Sequence, residues 1–179
     1  MSLDLSTNPH VVSKVWDALD ALTDPEIPVV TLREMGIIRD VEHVSDHVVV
    51  VVITPTYSGC PAMEQIHDDI RSTVKALGLA VEVRTQLAPA WTTDWMTDTA
   101  KDKLRAYGIA PPNRQYGVPA EQTSVVHFMR KPFQAADVVE CPHCGSSNTW
   151  ESSHFGSTAC KALYKCLDCQ EPFDYFKPY

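Results

Sequence analysis

Apolar residues along this chain recur with two periods, and the points where each period starts and stops outline the elements. Val12, Val15, Trp16, Leu19 and Leu22 follow one another at helical spacing behind Asn8 and Pro9, residues suited to the cap and first position of a helix. That helix is expected to stop before Asp24-Pro25-Glu26-Ile27-Pro28, where the prolines force a turn. Gly36 to Val44 and Val48 to Thr54 read as strands joined around Ser45-Asp46. The second is apolar on both faces and is therefore expected at the centre of a sheet. Pro55 ends it and Thr56 to Gly59 form a turn. Pro61 then opens a helix with Met63, Ile66, Ile70, Val74 and Leu77 on one side, closed by Gly78.

Val81, Val83, Thr85 and Leu87 alternate with Glu82, Arg84 and Gln86, which is the period of a strand. A strand, a helix and a strand in succession imply a parallel crossover. A third amphipathic helix is expected from about Thr93 to Tyr107, with Trp95, Met96, Ala100, Leu104 and Tyr107 inward. From Ala110 to Gln122 the chain carries three prolines and no apolar period, the character of a linker. Val125 to Phe128 has the length of a short strand. The expected organisation is an α/β domain over 1–109, an extension over 110–136 and a cysteine-rich module over 137–179, an α+β chain.

Composition narrows the function classes. The 179 residues are 44% hydrophobic, enough for a real core, and the formal net charge of −8 argues against a nucleic-acid or anionic-membrane binder. The longest apolar run, Val48 to Ile53, is strand-sized rather than membrane-spanning. Met1-Ser-Leu-Asp-Leu lacks the basic and apolar segments of a signal peptide, so a cytoplasmic location is expected. In a reducing compartment, closely spaced cysteines bind metal more often than they form disulfides.

Cys141-Pro-His-Cys144 and Cys166-Leu-Asp-Cys169 are such pairs, 21 residues apart. Each can wrap a tight turn that aims both thiolates at one ion, and the intervening residues suffice for a hairpin that unites the pairs. Gly145 suits the turn, since the residue after such a knuckle often takes a positive φ. Four thiolates match a structural zinc ion. They also suit an iron–sulfur cluster, although the hairpin spacing favours zinc, and two redox dithiols are the plainer alternative. A module this short buries little core, so bound zinc would hold its fold. With six acidic residues against three lysines from Asp137 to Tyr179, it is a poor nucleic-acid ribbon. Cys160 is left over as a substitute ligand, a free thiol or a small packing residue. His143 and His154 lie near the pairs, but four cysteines leave them no place on the ion. The closing Phe173-Asp-Tyr175-Phe176-Lys-Pro-Tyr179 is expected to fill the module's own interior or to offer a docking surface.

In the first domain Cys60 falls between a turn and the Pro61 helix, where a helix dipole and unpaired N–H groups favour thiolate. A cysteine with no role reads equally well there, since no nearby residue is placed to act as its base. Asp24 and Glu26 fit an ordinary turn, and Thr54 ends a strand beside the Cys60 turn. Glu64-Gln-Ile-His67 has the spacing of a di-iron ligand pair, but it occurs once and without a four-helix bundle to hold it. No glycine-rich nucleotide fingerprint is present.

Together, Asp24-Pro-Glu-Ile-Pro and Thr54-Pro-Thr-Tyr-Ser-Gly-Cys60-Pro resemble the small α/β domain of SufT-like and cytosolic iron–sulfur assembly proteins. Phe155 to Cys166 and Glu171-Pro-Phe-Asp-Tyr-Phe-Lys-Pro are similar to the tail of the PaaD family, small subunits encoded with the bacterial phenylacetyl-CoA epoxidase. The resemblance implies a mixed sheet with flanking helices, then a zinc ribbon with Cys141, Cys144, Cys166 and Cys169 on one structural zinc ion. It further implies a role in aerobic phenylacetate degradation, with oxygenase and iron–sulfur reductase subunits as partners. On that resemblance Cys60, with Thr54 and Asp24 or Glu26 around it, would carry iron or a cluster transiently to those partners. A purely structural or interaction subunit with an inert Cys60 is the other reading. Whether the chain is a monomer or a homodimer stays open from sequence.

Overall fold

The computed structural model describes residues 9–45, 47–112 and 138–179, which divide into two compact units. The first comprises residues up to Tyr107 together with Tyr179, and the second runs from Gly108 to Pro178.

In the first unit, α1 (Pro9–Leu19) is followed by β1 (Ile38–Ser45), β2 (Val48–Ile53), α2 (Met63–Ala76), β3 (Ala80–Thr85) and α3 (Asp98–Ala106). The sheet order is β1-β2-β3, antiparallel between β1 and β2 and parallel between β2 and β3. The valine run is thus the central strand, as its two apolar faces require. On one face, Val41, Val51 and Val83 pair across the sheet, and α1 and α2 bring Val15, Leu19, Ile66, Ile70 and Val74 to full burial. His67 of α2 reaches Thr85 of β3 at 3.1 Å on this side. On the opposite face Glu42, Val50 and Glu82 share a row, and Arg84 spans it to meet Glu42 at 3.3 Å and Glu82 at 3.6 Å.

Two helix boundaries differ from the sequence reading. α1 ends at Leu19 rather than Leu22, because the chain turns there to run toward Asp24. Residues 93–107 do not form one helix. Thr93–Trp95 is a single 3₁₀ turn, Met96 is extended (φ −72°, ψ 135°), and Thr97 caps α3 by accepting the Ala100 N–H through Oγ1 at 3.1 Å. A Thr cap followed by Asp98 outcompetes continuation of the apolar period. Tyr107, expected inward, is consequently 54% exposed, and Trp95 is half-buried beneath the Arg39 guanidinium, 3.5 Å from its ring centre.

The second unit holds β4 (Ile109–Ala110), β5 (Thr149–Ser153), β6 (Lys161–Cys166) and β7 (Pro172–Phe176) in the order β4-β7-β6-β5. β5 and β6 form the antiparallel hairpin that the cysteine spacing calls for. Ile109 and Ala110, read from sequence as the border of a linker, instead pair in parallel with Asp174 and Tyr175. The core is small: Ala110, Val139, Cys141, Ala162, Cys166, Phe173 and Tyr175, with Tyr164 and Cys169 against it. The expected strand at Val125–Phe128 and most of the proposed extension lie outside the described residues. The fold is α+β, a mixed sheet with flanking helices followed by a β-rich unit. Among the described residues no helix is long and apolar enough to cross a membrane.

Candidate metal centre

Each cysteine pair sits in a tight backbone turn. In the first, the Gly145 N–H donates to the Cys141 carbonyl and the Cys141 N–H to the Ser146 carbonyl, both at 2.9 Å. In the second, the Cys166 N–H donates to the Glu171 carbonyl at 3.0 Å and the Cys169 N–H to Cys166 Sγ at 3.5 Å. The residue after each pair is left-handed, Gly145 at φ 73° and Gln170 at φ 66°. Glycine takes that conformation without strain, whereas Gln170 is held in it by its own side chain, whose Nε2 donates to the Leu167 carbonyl at 2.6 Å.

The hairpin then brings the two turns together. Cys141 Sγ lies 3.7 Å from Cys169 Sγ, Cys144 Sγ lies 3.6 Å from Cys166 Sγ, and all four sulfurs fall within 4.8 Å of one another. Sulfurs at about 2.3 Å from a tetrahedral zinc ion are about 3.8 Å apart, so the donor set fits zinc in number, type and spacing. A third turn-to-turn link comes from Asp168, whose carboxylate accepts from Ser146 Oγ and, at 2.8 Å, from Asn148 Nδ2. These hydrogen bonds, Ser146's above all, hold the Asp168 carboxyl below its ordinary value. The sequence reading passed over Asp168, Ser146 and Asn148, whose only signal was their closeness to the cysteines.

The four thiols differ in their electrostatics, with the pKa of Cys141, Cys144 and Cys169 raised and that of Cys166 lowered. Backbone N–H groups of Cys169 and then Asp168 bring the Cys166 thiol down to about 7, so it is partly thiolate near neutrality. Burial pushes the Cys141 thiol up. Zinc binding would displace the protons that remain, so affinity falls as pH falls. Cys160 is buried outside this group, with Thr158 Oγ1 2.9 Å from its sulfur. His143 is exposed, and His154 is exposed against Glu151 at 3.1 Å; neither joins the four thiols.

The candidates in the first unit are arranged differently. Asp24 is buried and its Oδ1 accepts the N–H groups of Glu26 at 2.7 Å and Ile27 at 3.0 Å, so one carboxylate oxygen stabilises the turn. Backbone hydrogen bonds carry this turn toward the sheet, from Asp24 N–H to the Val30 carbonyl, from Ile37 N–H to Leu32 and from Thr54 N–H to Ile37. Thr54 is 1% exposed, and among the described residues its Oγ1 has no hydrogen-bond partner. Cys60 is half-buried in the segment that follows. It is not at the helix terminus as the sequence suggested: α2 begins at Met63 with Ala62 as its cap, and Cys60 precedes both. The dipole contribution there is correspondingly weaker, since it fades within a turn. Asp24, Glu26 and Cys60 do not form a potential metal-binding group among the described residues.

Comparison with known proteins agrees with this division. The family described as iron–sulfur cluster assembly protein matches residues 13–85, and the PaaD zinc beta ribbon domain matches residues 127–177. An Escherichia coli K12 protein named as one of the subunits of 1,2-phenylacetyl-CoA epoxidase is 45% identical over 94% of this chain and 94% of its own length. An Fe-S protein maturation auxiliary factor of Porphyromonas gingivalis is 34% identical over 48% of this chain and 83% of its own. The crystal structure of a domain of unknown function, DUF59, from Bacillus anthracis superposes with a TM-score of 0.50 at 27% identity, covering 54% of this chain and 92% of that one. With a four-cysteine ribbon and an assembly-type domain on one chain, the protein belongs to the PaaD family of phenylacetyl-CoA epoxidase subunits.

Proposed function

We propose that this chain is a cytoplasmic accessory protein of aerobic phenylacetate degradation that helps load the metal centres of a phenylacetyl-CoA epoxidase system. In this reading Cys60 binds iron or an iron–sulfur cluster transiently, Thr54 and Asp24 or Glu26 shape its surroundings, and the zinc ribbon docks the client. The clients are the oxygenase and iron–sulfur reductase subunits. The names of the relatives support the setting. The observation that carries the role of the first unit is Thr54. A buried hydroxyl without a partner among the described residues costs roughly 1–3 kcal/mol unless a water, an ion or a ligand satisfies it, and a bound metal or cluster beside it would be one such partner.

Cys60→Ser tests the reading. In cells producing the whole epoxidase system, the variant is expected to stay folded and zinc-loaded while cluster occupancy of the reductase falls severalfold. Normal occupancy would sink it. A scaffold role without transfer is favoured by one observation, that the carboxylates of Asp24 and Glu26 do not group with Cys60. It predicts a stable complex with oxygenase subunits and activity indifferent to Cys60→Ser. A pull-down recovering neither oxygenase nor reductase would remove that reading.

A further inference from the structure

The four thiols of the centre are not equivalent. Cys166 is 0% and Cys141 2% exposed, Cys169 is partly exposed, and Cys144 stands open to solvent. Cys166 Sγ also accepts the Cys169 N–H at 3.5 Å. Exposure therefore singles out one of the four sulfurs, Cys144 Sγ.

We infer that Cys144 is an oxidation site through which a hydroperoxide opens the four-cysteine centre and releases its zinc. The Cys144 thiolate attacks one oxygen of hydrogen peroxide, the O–O bond breaks, and hydroxide leaves a sulfenic acid on Cys144. Cys166 Sγ, 3.6 Å away, then attacks the sulfenic sulfur; an S–S bond forms and a second hydroxide departs. Two electrons pass from the two thiolates to the peroxide, and two solvent protons convert the hydroxides to water. Cys141 and Cys169 remain as two ligands where four had held the ion. Because Cys166 and Cys141 also belong to the small core, the same event loosens the packing of the unit. Cys60 and Cys160 take no part in it.

The experiment uses the full-length zinc-loaded protein, hydrogen peroxide as oxidant, a chromogenic chelator to report zinc, and peptide mass spectrometry to map cysteines. Zinc release is expected together with a Cys144–Cys166 disulfide. Cys144→His keeps a ligand while removing the exposed thiolate, and release is expected to slow roughly tenfold or more. Cys160→Ser, at a thiol outside the four-cysteine group, should release zinc as fast as the parent. Release from Cys144→His at the parent rate would overturn the inference, and so would zinc retention while Cys60 or Cys160 is oxidised. Should Cys144→His fail to hold zinc, the parent protein still decides. At substoichiometric peroxide, Cys144 must be the first of the four to lose its reactivity toward alkylation, and any other order refutes the assignment.

Discussion

Gly145 and Gln170 occupy equivalent places in the two cysteine turns and share a left-handed backbone, yet only one was legible in advance. The glycine announces its conformation by its type. The glutamine reaches it through a side-chain bond to Leu167 that exists only once the second turn has folded. Asp168 escaped notice for the same reason, because its partners Ser146 and Asn148 arrive from across the hairpin. Legible chemistry here was local chemistry. The glycines also permit a test with a built-in contrast. A Cβ at Gly145 would meet nothing within 4 Å, so Gly145→Ala carries backbone strain alone and should destabilise the holo-protein by about 1–2 kcal/mol. At Gly36, φ is +69° and a Cβ would lie 2.7 Å from the Trp95 carbonyl oxygen. Gly36→Ala adds steric conflict to strain and should cost about 3 kcal/mol or more. Urea titrations followed by circular dichroism compare the two, and equal losses would contradict the distinction.

At the scale of elements, periodicity found α1, the valine strand, α2 and the parallel crossover, because each buries a face whose spacing is its own signature. It failed at α3, where a cap and an extended Met96 interrupted an apolar period that carried on regardless. The same helix is tied down by a contact remote in sequence. Thr31 and Glu34 form a reciprocal capping box, Glu34 N–H to Thr31 Oγ1 at 3.1 Å and Thr31 N–H to Glu34 Oε2 at 2.9 Å. Lys103 of α3 then donates to both Glu34 oxygens at 2.7 and 2.9 Å. Burial pushes the Glu34 carboxyl up, but the bonds from Lys103 and Thr31 outweigh it and hold the group below its ordinary 4.5. A depressed folded-state value means that the stabilisation is fully present above the unfolded value and is lost as pH falls through the folded one. Glu34→Gln should therefore cost roughly 0.5–1 kcal/mol at pH 7, a figure kept small because Lys103 is 40% exposed. Urea midpoints of the two proteins should converge as pH drops below about 5. A gap that persists unchanged at pH 3 would show that the ion pair is not its source.

For the molecule as a whole, the two units rest on different physics. The first has an extended core of its own, with Val15, Leu19, Ile27, Val30, Leu32, Met35, Val49, Val51, Ile53, Ile66, Ile70 and Val74 each at 2% exposure or less. The second buries a handful of side chains, and two of these, Cys141 and Cys166, belong to the four-thiol donor set. A core built on its own ligands cannot persist when they are left as unpaired thiols, and structural zinc supplies about 10–16 kcal/mol to modules of this kind. Metal removal should therefore act on one unit and spare the other. After chelation with 1,10-phenanthroline under reducing conditions, the amides of β5, β6 and β7 are expected to lose hydrogen-exchange protection. Those of β2 and α2 are expected to keep it, since their burial owes nothing to the ion. Elemental analysis before treatment should find one zinc per chain. Protection of β6 that survives complete zinc loss would mean that the hairpin is held by its aromatics, Tyr164 against Phe173 and Tyr175 at 5.8 and 5.3 Å, and that the metal is an addition to a fold already made.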